Sequence, residues 1–88
     1  MPVFIVAYDL NRTGQNYPDL IKQLQSVQHC KPQKSLWLID SPLTEAGVRD
    51  VLRRHIDSND TILVSEVSKT WAGFNMPDCG RWLNGKGY

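Results

Sequence analysis

The carboxylate best placed for chemistry in this sequence is Asp9, which ends the most apolar run of the chain, residues 3–8 (VFIVAY). An acid at the end of a buried strand lies at the mouth of the following polar loop, and carboxylate oxygens are ligands that Mg²⁺ prefers. Metal-dependent cleavage of a phosphodiester needs such a cation with open positions for water and phosphate. A loop cap, in which Asp9 accepts backbone N–H groups from residues 11–13, is the structural alternative. From the residues alone, both interpretations stay open.

The metal interpretation needs a second oxygen ligand, because one carboxylate per chain is a thin ligand set. A two-fold axis beside Asp9 would bring two carboxylates together, and Mg²⁺ between them would relieve their repulsion. Tyr8 directly precedes Asp9, so its side chain points to the opposite face of the strand and is expected in the core. Asp40 ends a later strand in the same way; it is a secondary ligand candidate, but we expect it to act as a cap.

Basic side chains offer a second chemistry, which is contact with phosphate. The net charge is only +1, so a nucleic-acid partner requires a local basic patch rather than an overall excess. Arg49 and Arg53 are four residues apart and share one face of a predicted helix. The candidate phosphate-contacting set is Arg12, Lys31, Lys34, Arg49 and Arg53. A solvated helix face, balanced by neighbouring acids, is the alternative for the two helical arginines.

Histidine and cysteine form no recognisable metal or nucleophile motif. His29 and His55 are not at metal-ligand spacing from one another or from either cysteine. The two cysteines, Cys30 and Cys79, lie far apart and form no C-x-x-C pair. We expect two separate thiols in a reduced cytosol, with one disulfide as the alternative.

A chain of 88 residues folds as one small domain, and its apolar pattern alternates strands with amphipathic helices. The first strand covers residues 3–10, and after a loop at 11–16 a helix follows with Pro18 in its first turn. The apolar side chains of this helix share one face: Tyr17, Leu20, Ile21, Leu24 and Val27. Residues 28–33 form either an edge strand or a loop, because Pro32 is not tolerated in a central strand.

The same alternation continues through the second half of the chain. Residues 34–40 predict a strand, residues 41–56 a helix and residues 61–67 a further strand. Strands that alternate with amphipathic helices indicate a sheet with helices packed on it. The best fit is an α+β, ferredoxin-like βαββαβ plait over residues 1–68, with two helices on one face of the sheet.

An irregular tail that contains aromatic residues and glycines follows at residues 69–88. A plait with helices on one face leaves the other face of its sheet bare, and aromatic side chains are candidates to cover it in a symmetric dimer. These interface candidates are Trp37, Trp71, Phe74 and Trp82. For the tail, the favoured interpretation is that Trp71, Phe74, Met76 and Trp82 cover this face as core; a dimer or partner interface and stacking on nucleotide bases are the other two.

Residues 3–68 resemble the CRISPR-associated Cas-two family, the small ferredoxin-like partners of the spacer integrase. The likeness rests on Tyr8 and Asp9 at the end of the first strand, on LTEA (43–46) at a helix start, and on an acidic turn before an apolar strand (57–64). The resemblance implies a homodimeric, metal-dependent endonuclease that acts on RNA or DNA. In that family the aspartate at the end of the first strand is the proposed metal-binding acid, paired with its symmetry mate. The resemblance therefore gives Asp9 the roles of catalytic residue and Mg²⁺ ligand.

We accordingly expect a stand-alone relative of this family; the virulence-associated protein D ribonucleases resemble the same plait. The alternative is a non-catalytic interaction or scaffold module, such as a defence, toxin–antitoxin or phage-related regulator, that binds protein through the tail. No signal peptide is recognisable at the N-terminus, and no apolar stretch approaches the ~20 residues that span a membrane. We therefore expect a cytoplasmic protein with no membrane partner.

Overall fold

The computed structural model describes residues 2–10 and 17–88, in which strands and helices alternate as the sequence predicts. The elements in these ranges are β1 (Val3–Asp9), α1 (Pro18–Gln25), β2 (His29–Gln33), β3 (Leu36–Asp40), α2 (Glu45–Arg53), β4 (Thr61–Glu66) and α3 (Pro77–Gly85). The predicted α+β class is confirmed. None of the helices in the described ranges is long and apolar enough to cross a membrane.

The four strands form one antiparallel sheet in the order β2-β3-β1-β4. β1 is an inner strand that pairs with β3 on one side and with β4 on the other. Helices cover both of its faces, which explains why its sequence is continuously apolar instead of alternating. This small sheet with its helices is compatible with the predicted ferredoxin-like plait.

β2 lies at one edge of the sheet. Of the two interpretations of residues 28–33, an edge strand or a loop, the edge strand is therefore correct. Pro32 is tolerated there because an edge strand has one side without a hydrogen-bonded neighbour. Pairing with β3 is regular at His29 and Cys30 and then shifts in register before Gln33. The irregularity therefore falls on Lys31 and Pro32.

The helices α1 and α2 pack on one face of the sheet, which we call the helix-pair face. Alternate strand residues point to this face and meet the apolar stripes of both helices. The buried members of the cluster are Phe4, Val6, Leu20, Leu24, Trp37, Ile39, Val48 and Leu52. Thr44 caps α2, since its hydroxyl accepts the N–H of Gly47 at 3.1 Å. The two helices lie where the sequence pattern predicts them.

The opposite face of the sheet, the α3 face, is covered in part by a helix that the sequence analysis missed. The tail was expected to be irregular, yet α3 begins with Pro77 and carries Asp78 in its first turn, two residues that suit a helix N-terminus. It ends in a Schellman motif, in which Gly87 adopts a φ of 90° and the N–H of Tyr88 donates to the carbonyl of Leu83 at 3.0 Å. A glycine that suggested a loose end therefore terminates a helix.

A disulfide between Cys30 and Cys79 joins β2 to α3. The expectation of two separate thiols is therefore wrong. The disulfide is the alternative that was left open; it was not favoured because 49 residues separate the two cysteines, and only the fold brings β2 beside α3. Cys79 is 4% exposed and packs with Val3, Leu38 and Leu83 in the cluster of the α3 face.

Trp37 lies on the opposite face from the one expected. Trp37 and Ile39 point to the helix-pair face, whereas the alternating residues Leu36 and Leu38 point to the α3 face. Trp37 is only 3% exposed. It is therefore a core residue beneath α1 and α2. The sheet face that Trp37 was expected to cover is covered in part by α3 instead.

Candidate functional site

One end of the sheet collects several of the residues singled out from the sequence, and we call it the Asp9 end. Its defining members are Asp9, Lys34, Arg53 and Thr61. β1 ends at Asp9, directly opposite Thr61, where β4 begins. The turn between β2 and β3 lies at the same end, because the N–H of Tyr8 donates to the carbonyl of Ser35 at 3.1 Å. α2 ends at Arg53, and its loop leads back to the start of β4.

Asp9 is exposed, and its side chain points to the α3 face because it alternates with Tyr8 along β1. Within residues 2–10 and 17–88, no group of three or more His, Cys, Asp or Glu side chains is arranged to hold a metal ion. Asp9 is therefore not part of a three-ligand cluster within these residues. A magnesium ion here would need its remaining ligands from water and from a bound phosphate.

Tyr8 is the core residue that the strand alternation predicts. Its ring packs against the cluster of the helix-pair face. Its hydroxyl accepts a hydrogen bond from the indole Nε1–H of Trp37 at 3.1 Å. This bond satisfies a polar group of a nearly buried side chain and fixes the last residues of β1, from which Asp9 projects.

A shallow polar groove runs between the last turn of α2 and the start of β4. Its walls are formed by Arg49, Arg53, Ile56, Asp57, Ser58, Asp60, Thr61 and Ile62. Arg49 donates to the Asp50 carboxylate from Nε at 3.0 Å, with a second nitrogen at 2.9 Å, and both side chains are about half exposed. Arg53 is exposed and forms no ion pair within the described residues. Of the two guanidinium groups, that of Arg53, at the end of α2, is therefore the more available.

The acidic wall of the groove is part of a braced loop. The carboxylate of Asp60 accepts the N–H of Asp57 at 2.8 Å and the hydroxyl of Tyr17 at 3.3 Å. These bonds join the loop before β4 to the start of α1. The groove therefore has a fixed shape on this side, and the Asp60 oxygens are engaged in structural hydrogen bonds.

The remaining basic candidates lie in different places. Lys34 is exposed in the turn between β2 and β3, at the Asp9 end. Lys31 is exposed along the edge strand, where its ammonium lies 5.5 Å from the ring centroid of Trp37. Arg12 lies outside the described residues. The fold thus brings Lys34, but not Lys31, to the Asp9 end.

The aromatic residues of the tail divide into two groups. Trp71 and Trp82 are partly buried and pack against the cluster of the α3 face. Phe74 is 95% exposed. Covering the sheet face within one chain is therefore the role of the two tryptophans, whereas Phe74 is available to a partner.

The sequence analysis did not single out Leu63, which is 64% exposed in the middle of β4. Leu63 pairs with Ala7 and points to the α3 face. α3 is tied to β2 at the opposite edge of the sheet and does not cover it. The signal was present in the alternation of Ile62, Leu63 and Val64, in which the middle residue points away from α2.

No family model matches this chain, and no solved structure matches it. The Cas-two-like relationship therefore stays a prediction that rests on the residues quoted for it. A fold by itself does not determine a function, so the geometry of the Asp9 end is the basis for any functional assignment.

Proposed function

We propose that this chain is a nucleic-acid-directed protein of Cas-two-like, ferredoxin-like type that acts as a homodimer and binds phosphate groups at the Asp9 end. The observation that carries the proposal is topological. Two separate parts of the chain, the turn between β2 and β3 with Lys34 and the last turns of α2 with Arg49 and Arg53, lie toward the end of the sheet where Asp9 is exposed.

Guanidinium groups suit this role because their planar donors match the geometry of a phosphate. Arg53 is free of ion pairs within the described residues, and the pair between Arg49 and Asp50 is exposed, so phosphate can compete for it. A chain with a net charge of +1 has little long-range attraction for nucleic acid. Binding should therefore depend on this local patch.

Asp9 gives the proposed site its chemistry. Its exposed carboxylate is suited to hold Mg²⁺ together with phosphate oxygens and water, as magnesium often binds through one or two carboxylates plus substrate. Such an ion would polarise the phosphoryl oxygen and activate water for hydrolysis. The role of the chain itself is to hold the carboxylate on an ordered strand, with Lys34 at the same end of the sheet for phosphate. Arg53 lies on the helix-pair face and would contact a different phosphate of the same nucleic acid.

The binding part of the proposal is tested with a charge-matched pair of double variants. Arg49→Gln with Arg53→Gln removes two positive charges near Asp9, and Lys69→Gln with Arg81→Gln removes two exposed charges elsewhere. Fluorescence anisotropy with labelled RNA and DNA should show roughly tenfold weaker binding for the first variant only, with a salt slope reduced by about 2. Equal binding by the two variants, or no binding by the wild type, would contradict the proposal.

The catalytic part is tested by Asp9→Asn beside the control Asp19→Asn, which alters another exposed carboxylate. With Mg²⁺ or Mn²⁺ and single- or double-stranded RNA and DNA, we expect cleavage by the wild type and the control and none by Asp9→Asn. Activity that is equal in all three proteins has the signature of a contaminant and, like a lack of activity in all three, leaves Asp9 as a loop cap.

A second candidate function, a non-catalytic interaction module, is favoured by Phe74, because a phenyl ring that is 95% exposed is the kind of side chain that anchors a partner. A protein partner held through Phe74 should be lost on Phe74→Ser, with nucleic-acid binding unchanged. A pull-down with the wild type and Phe74→Ser, beside the anisotropy measurement on both proteins, separates the two functions.

A cytoplasmic location is also part of the proposal, and the disulfide between Cys30 and Cys79 makes it testable. Disulfides persist mainly in oxidising compartments, and reduction in the cytosol requires access to the sulfur atoms. Cys79 is 4% exposed and Cys30 is partly buried, so a reductant reaches the bond more easily at Cys30. Thiol trapping combined with cell fractionation should find the protein in the cytoplasmic fraction; recovery only outside it, with the pair oxidised, would contradict this location.

A further inference from the structure

The two edges of the sheet differ in how well they are protected against pairing with another strand. At the β2 edge, Pro32 and the register shift interrupt the strand, Lys31 and Lys34 add like charges, and Cys30 ties the strand to α3. Such features prevent edge-to-edge association in natural sheets. At the other edge, β4 pairs with β1 without interruption and carries none of these features.

The backbone groups that face outward from β4 can be identified from one hydrogen bond. The N–H of Val67 donates to the carbonyl of Val3 at 2.8 Å, so Val67 faces β1. In an antiparallel ladder the direction of these groups alternates along the strand. Leu63 and Ser65 therefore also face β1, and the amide groups of the residues between them point to the outer edge. These outward residues are Ile62, Val64 and Glu66.

The side chain of Leu63 adds an apolar surface beside this edge. It is 64% exposed on the α3 face, next to Ala7, and α3 does not reach it. Within residues 2–10 and 17–88, the outer edge of β4 is regular and has no strand paired to it. An exposed apolar side chain beside such an edge marks a place where another strand would gain both hydrogen bonds and apolar contact.

We propose that β4 pairs with β4 of a second copy of this chain, antiparallel and with the two-fold axis at Val64. In this register Ile62 of each copy lies opposite Glu66 of the other, so the only charged residue of β4 meets an apolar one and no like charges face each other. About six backbone hydrogen bonds become available. The two Leu63 side chains meet diagonally across the junction and are shielded from water.

Of the two ways in which a second copy could pair with this edge, β4 with β4 is favoured because it forms a closed dimer. A β4–β4 contact is isologous and ends at two chains, whereas β4 against the β2 edge would be heterologous and would propagate. The interruption at Pro32 and the charge of Lys31 also oppose the second arrangement.

The arrangement has a consequence for the proposed nucleic-acid site, on which this step rests. Because Asp9 lies opposite Thr61 at the far end of β4 from the axis, the two Asp9 carboxylates lie on the order of 25 Å apart. Each Asp9 end would then bind phosphate on its own. A metal shared between two Asp9 carboxylates, which the family resemblance implies, is not compatible with this dimer.

The test uses a matched pair of substitutions, Leu63→Lys and Phe74→Lys, each of which replaces a strongly exposed apolar side chain by the same cation. Sedimentation velocity over a concentration series, without nucleic acid, should show a wild-type dimer. Leu63→Lys should weaken the dimer roughly tenfold or more, because apolar contact is lost and two ammonium groups meet. Phe74→Lys should leave it unchanged.

Amide hydrogen exchange of the wild type gives a second readout that needs no variant. Ile62 and Val64 amides should be protected at high protein concentration and exchange faster on dilution, whereas Leu63 and Ser65 amides should be protected at both. A monomer at all concentrations, a dimer broken by Phe74→Lys instead of Leu63→Lys, or concentration-independent exchange at Val64 would overturn the proposal. None of these outcomes bears on nucleic-acid binding, which is measured separately.

Discussion

The two faces of the sheet are covered by two helices on one side and by one helix on the other, and they are held together in different ways. The cluster of the helix-pair face joins residues of β1, β3, α1 and α2 by apolar contact. The smaller cluster of the α3 face is reinforced by the disulfide between Cys30 and Cys79 and by the ion pair between Lys86 and Asp40. A single short helix buries little apolar surface, so it needs such additional links to stay in place.

The largest effect should follow from removal of the disulfide. Cys30→Ala with Cys79→Ala, or reduction of the wild type, should lower the free energy of unfolding by roughly 4 kcal/mol, because the unfolded chain is no longer cross-linked across the 49-residue separation. Urea unfolding with and without reductant measures this. The comparison of the two faces predicts that amide protection falls first in α3. An equal loss in α1 and α2 would contradict it.

Two matched leucines sharpen the comparison, since Leu24 lies in the helix-pair cluster and Leu83 in the α3 cluster, and the two are 1% and 2% exposed. Leu24→Ala should cost about 3 kcal/mol of unfolding free energy, because the larger cluster cannot collapse around the cavity. Leu83→Ala should cost about 2 kcal/mol, because the smaller cluster can relax. Chemical denaturation of both variants under oxidising conditions measures the two losses in unfolding free energy. A larger loss for Leu83→Ala than for Leu24→Ala would contradict the prediction.

The ion pair of the α3 face should have a smaller effect. Lys86 Nζ lies 2.8 Å from Oδ2 of Asp40, and both side chains are largely shielded, at 21% and 11% exposure. Lys86→Met should cost roughly 1–2 kcal/mol because it leaves a shielded carboxylate without its cation. Lys69→Met, at an exposed site, is the control. Addition of Asp40→Asn to Lys86→Met should recover much of the loss in a thermal melt; no recovery would show that the pair is not the cause.

The smallest effect should come from the polar contact of the helix-pair face. Tyr8→Phe removes the acceptor of the Trp37 indole N–H while the rings keep their packing. We expect a loss of about 1 kcal/mol in the free energy of unfolding and a change in tryptophan fluorescence. An unchanged stability would mean that the contact to Tyr8 is not needed to satisfy the indole.

The helix-pair face could be predicted from the sequence, and the α3 face could not. The stripes of α1 and α2 repeat every three or four residues, and Pro32 marked β2 as an edge strand. α3 carries Gly80 and Gly85 within a short segment, so its helical propensity is weak and its position depends on tertiary contacts. The disulfide pairs residues that only the finished sheet brings together. Trp37 was assigned to the wrong face because its face depends on its pairing with Val6 of β1, and a one-residue shift in that register exchanges the faces.

For the candidate site, strand alternation was sufficient to place Asp9 at a strand end and Tyr8 in the core. The arrival of Lys34 beside Asp9 depends on the order of the strands, which a single sequence does not determine. Leu63 was overlooked because a leucine in a strand is usually buried, and its exposure follows from where α3 is attached. The strand order therefore determines that Lys34 lies at the Asp9 end, and the position of α3 determines that Leu63 stays exposed.

The central claim is that the Asp9 end of the sheet is a nucleic-acid-binding surface. The most direct test is a titration of isotope-labelled protein with short single- and double-stranded RNA and DNA, followed through the amide chemical shifts. The account predicts that the largest shifts occur at Lys34, Arg53 and Thr61, that they saturate together, and that they diminish with added salt. Shifts confined to the opposite end of the sheet, around Asp40 and Lys86, or no shifts with any of these nucleic acids, would contradict it.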